Sequence, residues 1–165
     1  DLHSAVSGVD DSKCLTAQER ERLAEAIRAT AIASAVIAVA ADVIDRINIL
    51  EATRRAMAQA VRSLRPAPDC LVVDAVALAG FQVPCLPLIR GDSVSYGVAC
   101  ASILAKVERD RLMTELDRLY PAYGFAAHKG YSVPEHLQAL ETYGPCPVHR
   151  LTYQRVLPRM AEARV

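Results

Sequence analysis

Two short apolar runs in this chain are each closed by an acid: Cys70-Leu71-Val72-Val73 ends at Asp74, and Leu86-Pro87-Leu88-Ile89 leads through Arg90-Gly91 to Asp92. Runs of this length read as strands of a buried sheet, and ligand-binding side chains collect where such strands end. Two carboxylates converging on one crevice repel unless a cation lies between them, a role that magnesium or manganese commonly fills. On these residues alone, a strand-end cap for Asp74 and a helix N-cap for Asp92 compete evenly with metal binding.

The rest of the chain supplies helices around those strands. Thr16-Ala17-Gln18-Glu19 has capping-box spacing, and Leu23 and Ile27 then mark the apolar face of a helix over about 17–29. Ala31 to Ala40 reads as a buried strand, and 42–48 as a short helix or turn. Leu50, Thr53, Met57, Ala60, Val61 and Leu64 line one face of an amphipathic helix that Arg65-Pro66-Ala67-Pro68 stops. Strands are expected at about 70–74 and 86–90, with a loop containing Gly80 and Pro84 between them. Small residues from Gly97 to Ser102 suit close helix packing, Leu112, Leu116 and Leu119 continue that helix, and Pro121 ends it. A last clear helix starts near Ser132-Val133-Pro134-Glu135 and stops at Gly144-Pro145. Alternating strands and helices imply an α/β layer fold, and 165 residues without repeat or linker imply one domain over 1–165.

Composition excludes several classes. The longest apolar run, Ala31 to Ala41, falls short of the roughly 20 residues that span a bilayer. Cysteines 14, 70, 85, 100 and 146 form no C-x-x-C pair and three lie in apolar stretches, so buried thiols in a reducing, cytoplasmic compartment are expected rather than disulfides or a zinc site. Formal net charge is zero, which gives a nucleic-acid partner no bulk electrostatic support. From Arg118 onward, however, six Lys or Arg face three Glu, so the end of the chain is locally basic.

After Asp92 comes an ordered set of short motifs. Gly91-Asp92-Ser93 leads to Ala101-Ser102-Ile103-Leu104-Ala105-Lys106-Val107, Arg109-Asp110, Tyr123-Gly124-Phe125 and His128-Lys129-Gly130-Tyr131. Asp11-Ser12-Lys13, Ile44-Asp45, Ile47-Asn48-Ile49-Leu50, Ala52-Thr53, Gly144-Pro145 and His149-Arg150 accompany them. This set resembles ribonuclease HII, the bacterial type 2 ribonuclease H, over nearly the whole chain, and the family order makes it far more specific than any one motif. The family's opening Asp-Glu-x-Gly-Arg-Gly strand is not in the sequence, which begins at Asp1 without Met and reads as N-terminally incomplete.

The resemblance implies a ribonuclease H-like fold, a central mixed sheet flanked by helices whose leading strands are missing from this chain. Residues 120–165 would form a helical, substrate-binding C-terminal part. A sheet lacking its middle strand would be marginal or aggregation-prone. The implied activity is endonucleolytic hydrolysis of the RNA strand of RNA/DNA hybrids, and cutting 5′ to ribonucleotides embedded in duplex DNA, by two Mg2+ or Mn2+ ions. Asp74 and Asp92 would serve as catalytic metal ligands, the absent Asp-Glu pair supplying the others, so these residues alone are expected to be inactive. Lys13 would approach a substrate phosphate, Tyr131 would pack against the sugar at the ribo-to-deoxyribonucleotide junction, and Lys129 and Arg150 would contact phosphates. The protein is expected to be a monomer away from membranes. Two departures from the family are Ala75, usually Gly, and Glu108, usually Thr. A noncatalytic hybrid-binding remnant is the competing reading. A magnesium phosphohydrolase for small molecules would need a Gly-rich phosphate loop that the sequence lacks.

Overall fold

Thr16 opens the first helix as its spacing predicts. Its hydroxyl accepts the Glu19 N–H at 3.2 Å while the Glu19 carboxylate accepts the Thr16 N–H at 2.7 Å, a complete capping box. The computed structural model describes residues 5–156, so the predicted helical part is followed only as far as residue 156. Helix α1 (Ala17–Thr30) is followed by α2 (Ala41–Ile47), α3 (Ile49–Ser63), strand β1 (Leu71–Asp74), strand β2 (Cys85–Leu88) and the single-turn α4 (Gly91–Val94). The long α5 (Tyr96–Leu119), a 3-10 turn at Pro121–Tyr123, α6 (Phe125–His128) and α7 (Pro134–Tyr143) complete the order.

The chain divides into two compact units. The first combines residues up to Ala38 with Thr53–Arg109. Its core joins Leu23, Ala24 and Ile27 of α1 to Ile103, Leu104 and Val107 of α5, with Val36 and Cys100 against its edge. Each Leu, Ile or Val so buried contributes about 1.5–3 kcal/mol. Strands β1 and β2 pair in parallel, Leu71 opposite Cys85 and Asp74 opposite Leu88, so both chains run toward the same end and deliver Asp74 and Asp92 there. Among the described residues the sheet has these two strands. It leaves Val72 at 42% and Leu86 at 56% exposure, the uncovered face that a two-stranded sheet must have.

The second unit combines Val39–Ala52 with the chain from Asp110 onward. Met113, Tyr123, Phe125, Ala139, Leu140 and Cys146 form its core, the Tyr123 and Phe125 rings stacked at 5.4 Å. Pro134 begins α7 at a position that needs no N–H, and Gly144, at φ 69°, lets the chain leave it. The Tyr123 hydroxyl donates to the Gly144 carbonyl at 2.7 Å. Asp45 ties α2 to the end of the unit: its carboxylate accepts the Leu151 N–H, the Thr152 N–H and the Thr152 hydroxyl. The hydroxyl bond, ahead of the backbone ones, holds the Asp45 carboxyl below its usual pKa.

Two expectations need correction. Residues 31–40 are not a strand: Ala31 and Ala40 are extended, but among the described residues no ladder partner reaches the segment, and Ile32 is 87% exposed. The run carries the β-branched Ile32, Val36, Ile37 and Val39, but propensity and hydrophobicity do not make a strand without a hydrogen-bonded neighbour to pair with. The cysteines are also less buried than their apolar neighbours imply, since only Cys146 is buried while Cys14 and Cys70 are exposed. No helix among the described residues is long and apolar enough to cross a membrane.

Candidate functional site

The end of the two strands is organised around Asp74. Its Oδ1 accepts the backbone N–H of Gly91 at 2.8 Å, so the loop carrying Asp92 is fastened directly to the other acid. A side chain at position 91 would be tightly placed. A Cβ on Gly91 would lie 3.1 Å from Val98 Cγ1 and 3.3 Å from Asp74 Cα, so any larger residue would push its neighbours back by a few tenths of an ångström. The preceding Arg90, at φ 55°, makes the left-handed turn into α4, whose second residue is Asp92.

Asp92 is nearly covered, its side chain 11% exposed, and its Oδ2 accepts from Lys13 Nζ at 2.9 Å. Lys13 also reaches Asp11 Oδ1 at 3.2 Å, and Asp11 receives the Lys13 backbone N–H as well. The bond to Asp92, then that to Asp11, holds the Lys13 ammonium protonated above its usual pKa. That backbone hydrogen bond, ahead of the ammonium's own contact, lowers Asp11. Ser12, buried beside them, bonds Ser102 at 3.0 Å, which docks the Asp11-Ser12-Lys13 loop on α5. The structure therefore brings together three of the residues singled out in the sequence: Lys13, Asp74 and Asp92.

Chemically the pair fits a hard divalent ion, because carboxylate oxygens are what such ions prefer and a cation already rests on one of them. Among the described residues no group of three or more His, Cys, Asp or Glu is placed to hold a metal, so Asp74 and Asp92 would furnish part of a coordination sphere.

Ala75 follows Asp74 with φ 57°, a conformation that costs a residue with a Cβ about 1–2 kcal/mol. Its N–H nonetheless continues the ladder to Leu88 O at 2.8 Å. Ala75→Gly removes the clash but loosens the unfolded chain, so a net gain of up to about 1 kcal/mol is expected in denaturant unfolding. A loss of stability in that titration would contradict the strain argument.

The remaining sequence candidates lie in the second unit. Tyr131 is 60% exposed, yet its backbone is held on both sides: its N–H donates to His128 O at 2.9 Å, and its carbonyl accepts from Val133 N–H and His136 Nδ1, both at 2.9 Å. Lys129 is turned inward, donating to Ala126 O at 2.7 Å and Thr114 Oγ1 at 3.2 Å. Arg150 donates to the Tyr153 hydroxyl at 3.0 Å and lies over its ring. In the first unit, Glu108 faces Arg28 at 3.5 Å, a partly exposed pair of small energetic worth.

Sequence reasoning gave no role to His136, and none to the Gly91 N–H. A glycine between a strand and an acid was the available signal for the latter. For His136 only the spacing to Tyr131 hinted at contact. His136 and His149 are buried, and their Nε2 atoms lie 3.1 Å apart.

Comparison with known proteins gives one answer at each level. The ribonuclease HII family model matches residues 4–156. The chain is 50% identical over 157 residues to "Ribonuclease HII" of Syntrophomonas wolfei, covering 95% of this chain and 62% of that protein. With "Ribonuclease HII" of Ruminiclostridium cellulolyticum it shares 47% identity over 148 residues, covering 90% of this chain and 58% of the relative. The chain thus spans about three fifths of the length of these curated relatives. Among solved structures it is similar to ribonuclease H2 of Pyrococcus horikoshii, with TM-score 0.78, 27% identity and coverage of 90% of this chain and 78% of that one.

Proposed function

This chain belongs to the ribonuclease HII family, and on that premise we propose that it is the metal-binding and substrate-reading part of an endonuclease that hydrolyses the RNA strand of RNA/DNA hybrids and cuts 5′ to ribonucleotides embedded in duplex DNA. The observation that carries this reading is the junction at the ends of β1 and β2, where Asp74 grips the N–H of the residue next to Asp92. Asp74 and Asp92 would hold Mg2+ or Mn2+. When bound, such ions neutralise the phosphate and lower the pKa of a water to make the nucleophile. Lys13, freed from Asp92, is positioned to meet a phosphate oxygen, and Ser12 and Ser102 keep its loop in place. Tyr131 offers an apolar ring on a pinned backbone, suited to a sugar without a 2′-hydroxyl. Free thiols suit a reducing cytoplasm.

Because the 165 residues contain no Asp-Glu-x-Gly-Arg-Gly motif, we expect them by themselves to cleave little or not at all. A duplex with one embedded ribonucleotide, incubated with the chain and Mn2+, should be bound in a salt-dependent way and remain intact. Cleavage at that ribonucleotide would overturn the expected inactivity and uphold the nuclease reading. Equal affinity for an all-DNA duplex would remove the substrate assignment.

A further inference from the structure

Three imidazoles meet beneath the Tyr131 loop. His128 and His136 stack at 4.5 Å between centroids, and His136 and His149 at 5.4 Å, with the Phe125 ring 5.4–6.2 Å from all three. Their hydrogen bonds determine where each proton sits. Cys146 N–H donates to His149 Nδ1 at 2.9 Å, which leaves that nitrogen an acceptor and puts the proton on His149 Nε2. His149 Nε2 then donates across 3.1 Å to His136 Nε2. His136 in turn carries its proton on Nδ1 and gives it to the Tyr131 carbonyl. The direction of every bond is forced, from the Cys146 amide through two rings to Tyr131.

We propose that His149 and His136 are positioning residues for Tyr131, a neutral two-imidazole relay that fixes the backbone carrying the ring that reads the sugar. The inference rests on Tyr131 acting as that reader. Neither imidazole is exposed, and neither needs to touch substrate: what they determine is whether the Tyr131 carbonyl has its side-chain donor. An added proton disrupts the relay. On His136 Nε2 it would face the proton of His149 Nε2, and on His149 Nδ1 it would face the Cys146 N–H, with only the Cys146 carbonyl at 3.3 Å as an alternative acceptor. The titratable groups facing the pair are His128, Cys146 and Tyr123. Burial first, and then a neighbouring imidazole, lowers the pKa of both His136 and His149, while burial raises those of Cys146 and Tyr123. The relay is therefore intact at neutral pH and fails on acidification below the ordinary histidine range.

The test measures binding of the whole chain, by fluorescence anisotropy, to a duplex with one embedded ribonucleotide and to the matched all-DNA duplex at pH 7.5 and at about pH 4.5, well below the ordinary histidine value. The ratio of the two affinities is the readout. For the unaltered chain the preference for the ribonucleotide should fall about fivefold on acidification, the size that one hydrogen bond commands. His136→Asn places an amide donor near Nδ1 and cannot titrate, so its preference should persist at both pH values. His136→Leu should lack the preference at both. Long-range proton–nitrogen NMR of the unaltered chain should find His136 protonated on Nδ1 and His149 on Nε2, a result independent of any variant's folding. Opposite tautomers, or a pH response retained in His136→Asn, would overturn the relay. If Tyr131→Ala binds both duplexes like the unaltered chain, it is the reading of Tyr131 that fails.

Discussion

Replacing Phe125 by alanine is expected to lower stability by about 3–5 kcal/mol, the usual cost of deleting a buried aromatic ring and leaving its cavity. Phe125 is 2% exposed, stacks on Tyr123, and turns its ring toward His128, His136 and His149. Little around it can collapse into the vacancy, because the three imidazoles are held by directed hydrogen bonds to Tyr123 O, Tyr131 O and the Cys146 amide. The measurement is guanidinium unfolding followed by circular dichroism, with hydrogen exchange of the α7 amides to locate the loss in the second unit. Leu119→Ala, at a position 70% exposed, is the control and should change stability by less than about 0.5 kcal/mol. Equal effects of the two substitutions would mean that Phe125 is not the keystone of that core.

Asp92→Asn is expected to weaken Mn2+ binding by at least about tenfold, since losing even an outer-shell partner of a metal site costs 10–100-fold and this change removes a ligand charge. Paramagnetic broadening of the Asp74, Gly91 and Asp92 amides during a Mn2+ titration reports it directly and requires no catalytic turnover. Lys13→Ala should shift affinity the other way, because the ammonium 2.9 Å from Asp92 Oδ2 competes for the oxygen a metal needs. Opposed signs follow from net charge alone, so the discriminating results are the size of the Asp92→Asn loss and the confinement of broadening to the Asp74, Gly91 and Asp92 amides. Broadening confined to other carboxylates would sink the metal assignment of this pair.

Much of this was legible in the order of residues. Thr16 and Glu19 announce a capping box, Pro134 and Gly144 bracket α7, and the apolar runs before Asp74 and Asp92 become β1 and β2. These signals are local. Each depends on a backbone N–H, a fixed φ or a short alternation that neighbours in sequence can settle. The Ala31–Ala40 run misled for the same reason, because a strand is completed by a partner and hydrophobicity alone does not name one.

What the sequence determined by itself was the kind of chain this is: its helices and their caps, two acids at strand ends, and motifs whose order marks ribonuclease HII. Only the tertiary structure decided that the Gly91 N–H bonds Asp74, that Lys13 rests on Asp92 from 79 positions away, and that two buried histidines thirteen positions apart meet beside the Tyr131 carbonyl. Those are relations between groups distant along the chain, where directed bonds and close contacts are set by packing, and no periodicity or spacing encodes them in advance.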